Sequence, residues 1–177
     1  MIYRNKMSAL SKQWLENVIK RKFQSSKRDI VINEILDLKQ ERYDKTYMRM
    51  ALEWAKLSHC KRAQVGSLIV KDGMIISDGF NGSPTGFNND CEDESNKTHW
   101  YILHSEANAI LKCAKNGSAC KGATLYITHS PCKDCAKLIH QSGINKIVYN
   151  EEYRDSDGIE FLSNAGLEIV FLNNELN

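Results

Sequence analysis

The sequence predicts an α/β fold, a five-stranded sheet covered by helices with a helical extension ahead of it. Three observations carry this. From Thr46 onward, short apolar strand patterns alternate with amphipathic helical ones. Gly117, Gly143 and Gly166 stand where those helices should end. Repeated strand–helix–strand units bury a sheet beneath helices.

The first 45 residues differ from the rest. Leu10, Trp14, Leu15, Val18 and Ile19 recur at helical spacing, Gln24-Ser25-Ser26 interrupts, and Ile32, Ile35 and Leu36 resume. Two short helices are expected, forming an extension over 1–45 ahead of a main domain over 46–177. The extension reads as an amphipathic packing element with a solvated basic face, or alternatively as a basic arm for an anionic partner. In the main domain Met48, Ala51, Leu52 and Ala55 mark a helix. Strands follow over 65–70 and 74–80, joined at Lys71-Asp72-Gly73, where Asp-Gly suits a tight hairpin. The remaining strands fall at 124–128, 146–149 and 168–172, and the helices at 105–115, 132–142 and 158–164.

With 177 residues and 42% hydrophobic content, the chain can bury one ordinary core. It lacks an apolar run of membrane-spanning length and a secretory signal pattern, so a cytoplasmic protein is expected. Such a chain does not need disulfide staples, and thiolate metal ligation is the expected use of some of its six cysteines. Net charge is +2, but residues 1–28 hold eight basic residues against Glu16, which leaves the remainder at −5. That balance argues against broad nucleic-acid binding by the body of the protein.

The chemistry-bearing residues are His104-Ser105-Glu106 and, 25 residues beyond Glu106, Pro131-Cys132-Lys133-Asp134-Cys135. Cys132 and Cys135, at i and i+3, present both sulfurs from one face of a helix's first turn. Ser130 is expected as N-cap and Pro131 as the first helical residue, and a helix N-terminus favours thiolate over thiol. With His104 the two thiolates supply three zinc ligands and leave a fourth tetrahedral position for water, which marks a catalytic metal. Glu106 lies two residues from His104, about 200° away in mid-helix, so the pair must sit at a helix entry for the carboxylate to face the metal's water. Its expected role is proton shuttle between that water, the substrate ring nitrogen and the leaving amine. A Cys-x-x-Cys opening a helix also describes thiol redox proteins, and a purely structural zinc site is a third use. Neither requires His-x-Glu ahead of the preceding helix. His129 and His140 read as ordinary surface or packing residues.

The His-x-Glu and Pro-Cys-x-x-Cys pair matches the signature of zinc nucleobase deaminases. Over roughly 47–172 the sequence resembles the deoxycytidylate deaminase family, phage and bacterial members above all. The resemblance rests on 60–66 (CKRAQVG), 79–84 (GFNGSP), 104–110 (HSEANAI), 130–143 and Glu152-Tyr153-Arg154. It implies a cytidine-deaminase-like three-layer αβα fold with a mixed sheet, and hydrolysis of dCMP to dUMP. It further implies assembly as a homo-oligomer, often a hexamer, and control by dCTP and dTTP. Some viral relatives accept dCTP as substrate. The basic extension is not part of the family pattern.

Carried onto this chain, the resemblance gives the Asn81-Gly82-Ser83-Pro84 loop a role in holding sugar or phosphate through Asn81 and Ser83, although Asn-Gly and Ser-Pro are turn formers in any case. Tyr153 and Arg154 follow a strand at the carboxyl edge where open sheets bind ligands. Tyr153 is expected against the deoxyribose and Arg154 on the phosphate, with Arg62 a further phosphate candidate. Some relatives carry a second, structural zinc, for which Cys60, Cys91 and His99 are the corresponding candidates, ordering the short polar insertion over 88–98. The competing readings are a dCTP or dual-specificity deaminase, a polynucleotide-editing deaminase and a zinc-binding interaction module without turnover.

Overall fold

A computed structural model describes residues 2–173 and 176, with side chains described at every one of these from residue 27 onward and at residues 16, 17, 20, 21, 23 and 24 before it. The chain divides into two compact units, Met1–Arg42 and Tyr43–Asn177.

The first unit is the leading part of α1 (Ile2–Ala55), one uninterrupted helix of 54 residues where two short ones were expected. Gln24-Ser25-Ser26 breaks the apolar spacing but contains neither Gly nor Pro. Such residues lower helix propensity by only about 0.5 kcal/mol each, too little to end a helix. The side chains of Leu10, Trp14, Leu15, Val18 and Ile19 lie outside the described residues. Those of Ile32, Ile35 and Leu36 are exposed. No helix among the described residues is long and apolar enough to cross a membrane.

The second unit holds the end of α1 and the elements β1 (Gly66–Lys71), β2 (Met74–Phe80), α2 (Ser105–Lys115), β3 (Thr124–His129), α3 (Lys133–Gln141), β4 (Lys146–Glu151), α4 (Asp157–Asn164) and β5 (Glu168–Phe171). The five strands form one sheet in the order β2-β1-β3-β4-β5. β1 runs antiparallel to both β2 and β3, while β3, β4 and β5 are parallel, so the sheet is mixed. Asp72 and Gly73 close the first hairpin with φ of 51° and 75°, the left-handed pair a tight hairpin turn needs. The central strands β1, β3 and β4 are covered on both faces, which explains their continuous apolar runs.

Two apolar clusters sandwich the sheet. Met48 and Ala51 of α1 pack with Leu68, Tyr126 and Val148 on one face. Ala109 of α2, Ile139 of α3 and Leu162 of α4 pack with Ile69, Ile127 and Ile147 on the other, giving three layers. Asp44, 4% exposed, accepts from Tyr126 Oη at 2.6 Å and pairs with Lys146 at 3.2 Å, tying α1 to β3 and β4. Gly117, Gly143 and Gly166 follow α2, α3 and α4 with positive φ, as expected of C-terminal glycines.

Two glycines set the depth at which helices meet the site. A Cβ on Gly79 of β2 would stand 2.1 Å from the Ser105 carbonyl oxygen and 2.8 Å from the Ala109 nitrogen, so α2 lies directly on that backbone. A Cβ on Gly158 would meet the Pro131 carbonyl oxygen at 2.0 Å, seating the start of α4 on the segment before α3. Replacing Gly79 by Ala should therefore cost roughly 1–3 kcal/mol through forced displacement of α2. At Gly82, where the nearest atom to an added Cβ is 3.9 Å away, Ala should change stability by less than about 0.5 kcal/mol. Denaturant unfolding of both variants checks the contrast, and equal stability would mean that the close approach is not required.

Candidate active site

Two helix starts converge beyond the carboxyl ends of the parallel strands. His104 is the N-cap of α2 (φ −72°, ψ 157°) and Glu106 lies in its first turn, the helix-entry arrangement the His-x-Glu spacing requires. Cys132 is the N-cap of α3 (φ −69°, ψ 165°) and Cys135 falls in its first turn. Ser130 and Pro131 thus precede the helix instead of opening it. Ser130 instead takes its backbone N–H to Glu151 O (2.8 Å) and accepts from the Tyr153 N–H on Oγ (2.7 Å), joining the end of β3 to the loop after β4.

His104 Nδ1 stands 3.6 Å from Cys132 Sγ and 3.5 Å from Cys135 Sγ. Among the described residues this trio is the one cluster whose ligand atoms, all within 4.8 Å of one another, could hold a metal ion. Tetrahedral zinc at about 2.3 Å from sulfur and about 2.1 Å from imidazole nitrogen separates the two by about 3.6 Å, so the trio has the dimensions of a zinc site. Its protonation suits a cation as well. The hydrogen bond from Cys135, and then that from His104, brings the Cys132 thiol down to about 3. Donating that bond, together with burial, pushes Cys135 up. The hydrogen bond to Cys132 likewise raises His104. The shared hydrogen bond favours a thiolate on Cys132, and a bound cation would displace the remaining thiol proton.

Glu106, 3% exposed, accepts from Ser105 Oγ at 3.1 Å. Burial, the largest influence on it, raises its carboxyl above the usual range. It shares with His104 and Cys132 the wall of a cavity of about 320 Å³, a size within the range of small-ligand sites.

Arg62, Asn81, Tyr153 and Arg154 also line this cavity, and Ser83 does not. Asn81 spends its amide on the chain: Oδ1 accepts from Val65 N (2.8 Å) and Nδ2 donates to Ala63 O (2.9 Å), which pins the 63–65 segment. Arg62 donates to Thr98 Oγ1 at 3.1 Å. The Arg154 guanidinium lies 5.2 Å from the centre of the Tyr153 ring, and its side chain is 75% exposed at the cavity mouth. Sequence reasoning missed Glu92, Thr98 and His129, all of which line the cavity. Glu92 accepts from the backbone N–H groups of Lys61 and Arg62. His129 Nε2 stands 3.2 Å from Glu151 Oε2. His129 carried a usable signal, as the last residue of a strand running into Pro-Cys-x-x-Cys; Glu92 and Thr98 carried none. His140 is exposed and packs edge-on against Phe161, as expected of a packing residue.

The proposed second metal set is not assembled. Cys60 and Cys91 are joined in a disulfide with a Cα separation of 5.0 Å, and sulfurs so joined offer no thiolate. The Glu92 bonds to Lys61 and Arg62 hold the insertion against the 60–62 segment and bring the two cysteines together. His99 instead stacks on Tyr101 with ring centres 5.0 Å apart.

An α/β sheet carrying three zinc-type ligands on two helix starts, with a buried carboxylate beside them, defines a metal-dependent hydrolytic enzyme site. Residues 41–151 match the family model of the cytidine and deoxycytidylate deaminase zinc-binding region, and the chain belongs to that family. It is 36% identical over 167 residues to the deoxycytidylate deaminase of Enterobacteria phage T4, covering 70% of this chain and 86% of that protein. Identity to the human deoxycytidylate deaminase is 35% over 120 residues, 63% of this chain and 66% of that one. The crystal structure of dCMP deaminase from the cyanophage S-TIM5, in complex with dCMP and dUMP, is similar with a TM-score of 0.70 at 44% identity over 71% of this chain and 93% of that one.

Zinc analysis by mass spectrometry should find metal in the wild type and none retained in Cys132→Ala or Cys135→Ala, with loss of stability in both. Cys60→Ser should leave the content unchanged. Loss of one of two zinc ions in Cys60→Ser would restore Cys60 and Cys91 as ligands.

Proposed function

We propose that the chain hydrolyses the exocyclic amine of dCMP, releasing ammonia and dUMP. The observation that carries this is the buried Glu106 beside the His104, Cys132 and Cys135 trio, in a cavity with two guanidinium-bearing residues on its wall. Similarity to deoxycytidylate deaminases from phage and human, and to a dCMP deaminase solved with dCMP and dUMP, supports the same substrate.

His104, Cys132 and Cys135 would hold zinc, which when bound would supply Lewis-acid activation of water. Glu106 handles the protons. Its carboxylate takes one from the attacking water and delivers it to ring N3. It then takes a second from the hydroxyl so added to the ring carbon and passes it to the amine as the C–N bond breaks and the carbonyl forms. Burial suits this shuttle, because it raises the carboxyl above its usual range, so that the group holds a proton more readily than a free carboxylate does, and it keeps competing water away. Ser105 orients it. Asn81 acts by holding the 63–65 wall; Tyr153, on the cavity wall, is assigned to the sugar, and Arg154 and Arg62, on the same wall, offer planar guanidinium forks to the phosphate. The body's net charge of −5 disfavours a long polyanionic strand. Homo-oligomeric assembly and control by dCTP and dTTP belong to the same proposal; their support is the family resemblance, and activity with and without each triphosphate tests the control.

Glu106→Gln should keep zinc and fold while lowering turnover at least about 100-fold, the contribution of a positioned acid–base group. Appreciable activity in that variant would remove the shuttle. Arg154→Ala should lower kcat/KM for dCMP at least tenfold, about 1.4 kcal/mol, and affect deoxycytidine much less. Equal losses on both substrates would refute the phosphate contact. Ammonia release measured across dCMP, dCTP, CMP, deoxycytidine and an oligonucleotide tests the substrate directly, and faster turnover of the oligonucleotide would overturn the free-nucleotide proposal.

A further inference from the structure

The first unit carries a sequence regularity that the catalytic body does not use. Along α1, positions spaced alternately by three and four residues from Met7 form one seam: Met7, Leu10 and Trp14, then Asn17, Arg21, Gln24 and Arg28, then Val31, Ile35 and Leu38. The seam is apolar at both ends and polar in the middle. Its apolar end nearer the body is uncovered, with Val31 52%, Ile35 59% and Leu38 66% exposed. Each apolar end keeps, over about one heptad, the spacing of a helix that packs along a second helix, and four polar positions separate the two ends.

The seam is also a palindrome in character about the midpoint between residues 22 and 23. Laid antiparallel on a second copy in that register, Met7 faces Leu38, Leu10 faces Ile35 and Trp14 faces Val31. The polar positions meet one another, Asn17 with Arg28 and Arg21 with Gln24. A parallel pair instead sets Arg21 on Arg21 and Arg28 on Arg28 in a desolvated seam, which like charge forbids.

Charge along the helix points the same way. Residues 1–22 hold six basic residues and the single acid Glu16, whereas residues 23–42 hold four of each sign. The row flanking the seam runs Lys6, Gln13, Lys20, Lys27, Glu34, Glu41. The antiparallel register brings Lys6 towards Glu41 and Gln13 towards Glu34, with Lys20 and Lys27 left near each other at the polar centre. A parallel register sets the strongly basic halves side by side. We infer that residues 7–38 of α1 are a self-association element that pairs antiparallel with the same segment of a second copy about a two-fold axis.

Cross-linking of the full chain tests this. In the proposed register residue 10 of one copy faces residue 35 of the other, while equivalent positions such as 10 and 10, and residues 10 and 35 within one helix, are about 37 Å apart, beyond a short bismaleimide. Leu10→Cys/Ile35→Cys should give a covalent dimer, with Leu10→Cys alone and Ile35→Cys alone no higher than the wild type. Adding Val31→Glu to the double variant should cut the dimer yield at least fivefold with zinc content unchanged. Dimer formation by Leu10→Cys alone would show a parallel pair. Faster gel migration without an increase in mass would assign the seam to the chain's own body. No dimer from the double variant would mean no pairing in this register. Each of these three results overturns the proposal.

Discussion

His104 Nδ1 lies 3.6 and 3.5 Å from two sulfurs borne by a different helix, and that convergence is the constraint the second unit is built around. Two helix starts can meet this closely only if both sit deep against the sheet. Gly79 lets α2 rest on the β2 backbone, and Gly158 lets α4 press on the segment leading into α3. The sheet supplies the frame, because β3 and β4 run parallel and deliver Cys132 and Tyr153 to the same edge. The Tyr153 N–H to Ser130 Oγ bond locks those two strand exits together at 2.7 Å.

Electrostatics follow from this placement. His104 caps α2 and Cys132 caps α3, and at the α3 start the backbone field favours negative charge on the two sulfurs. Glu106 sits at the same helix start but is buried, and burial outweighs the favourable field in setting its carboxyl above the usual range. The cavity therefore joins a group suited to carrying protons to a trio suited to holding a cation. Arg62 and Arg154, which also line the cavity, are more exposed.

Most of the second unit was legible in the sequence. β2 and α2 fall where their patterns place them, and the other strands and helices differ by one or two residues at their ends. Period-2 and period-3.6 patterns are strong when an element has one buried and one solvated face, and runs of buried apolar residues mark the central strands. The His104, Cys132 and Cys135 cluster was legible because His104 with Glu106, and Cys132 with Cys135, sit at fixed short spacings within two separate motifs. What was not legible depended on long-range contacts. Glu92 and Thr98 reach the cavity from a polar insertion that has no period, and the pairing of Cys60 with Cys91 spans 31 residues. The cap of α3 fell to Cys132 because Ser130 was already engaged with Glu151 and Tyr153. Ser83, which the resemblance assigned to the sugar or phosphate, does not line the cavity, and the unbroken α1 shows that a polar triplet interrupts an apolar face without breaking a helix.

The proposed chemistry has the His104, Cys132 and Cys135 trio and Glu106 direct a water at the amine-bearing carbon of a cytosine nucleotide. Turnover of dCMP in ¹⁸O-water, followed by mass spectrometry of the product, measures this directly when run on native, zinc-stripped and zinc-restored protein. This chemistry requires dUMP carrying one ¹⁸O at the ring carbon that bore the amine, no product from the stripped protein, and recovery on adding zinc. Unlabelled dUMP, or undiminished turnover after zinc removal, would contradict it.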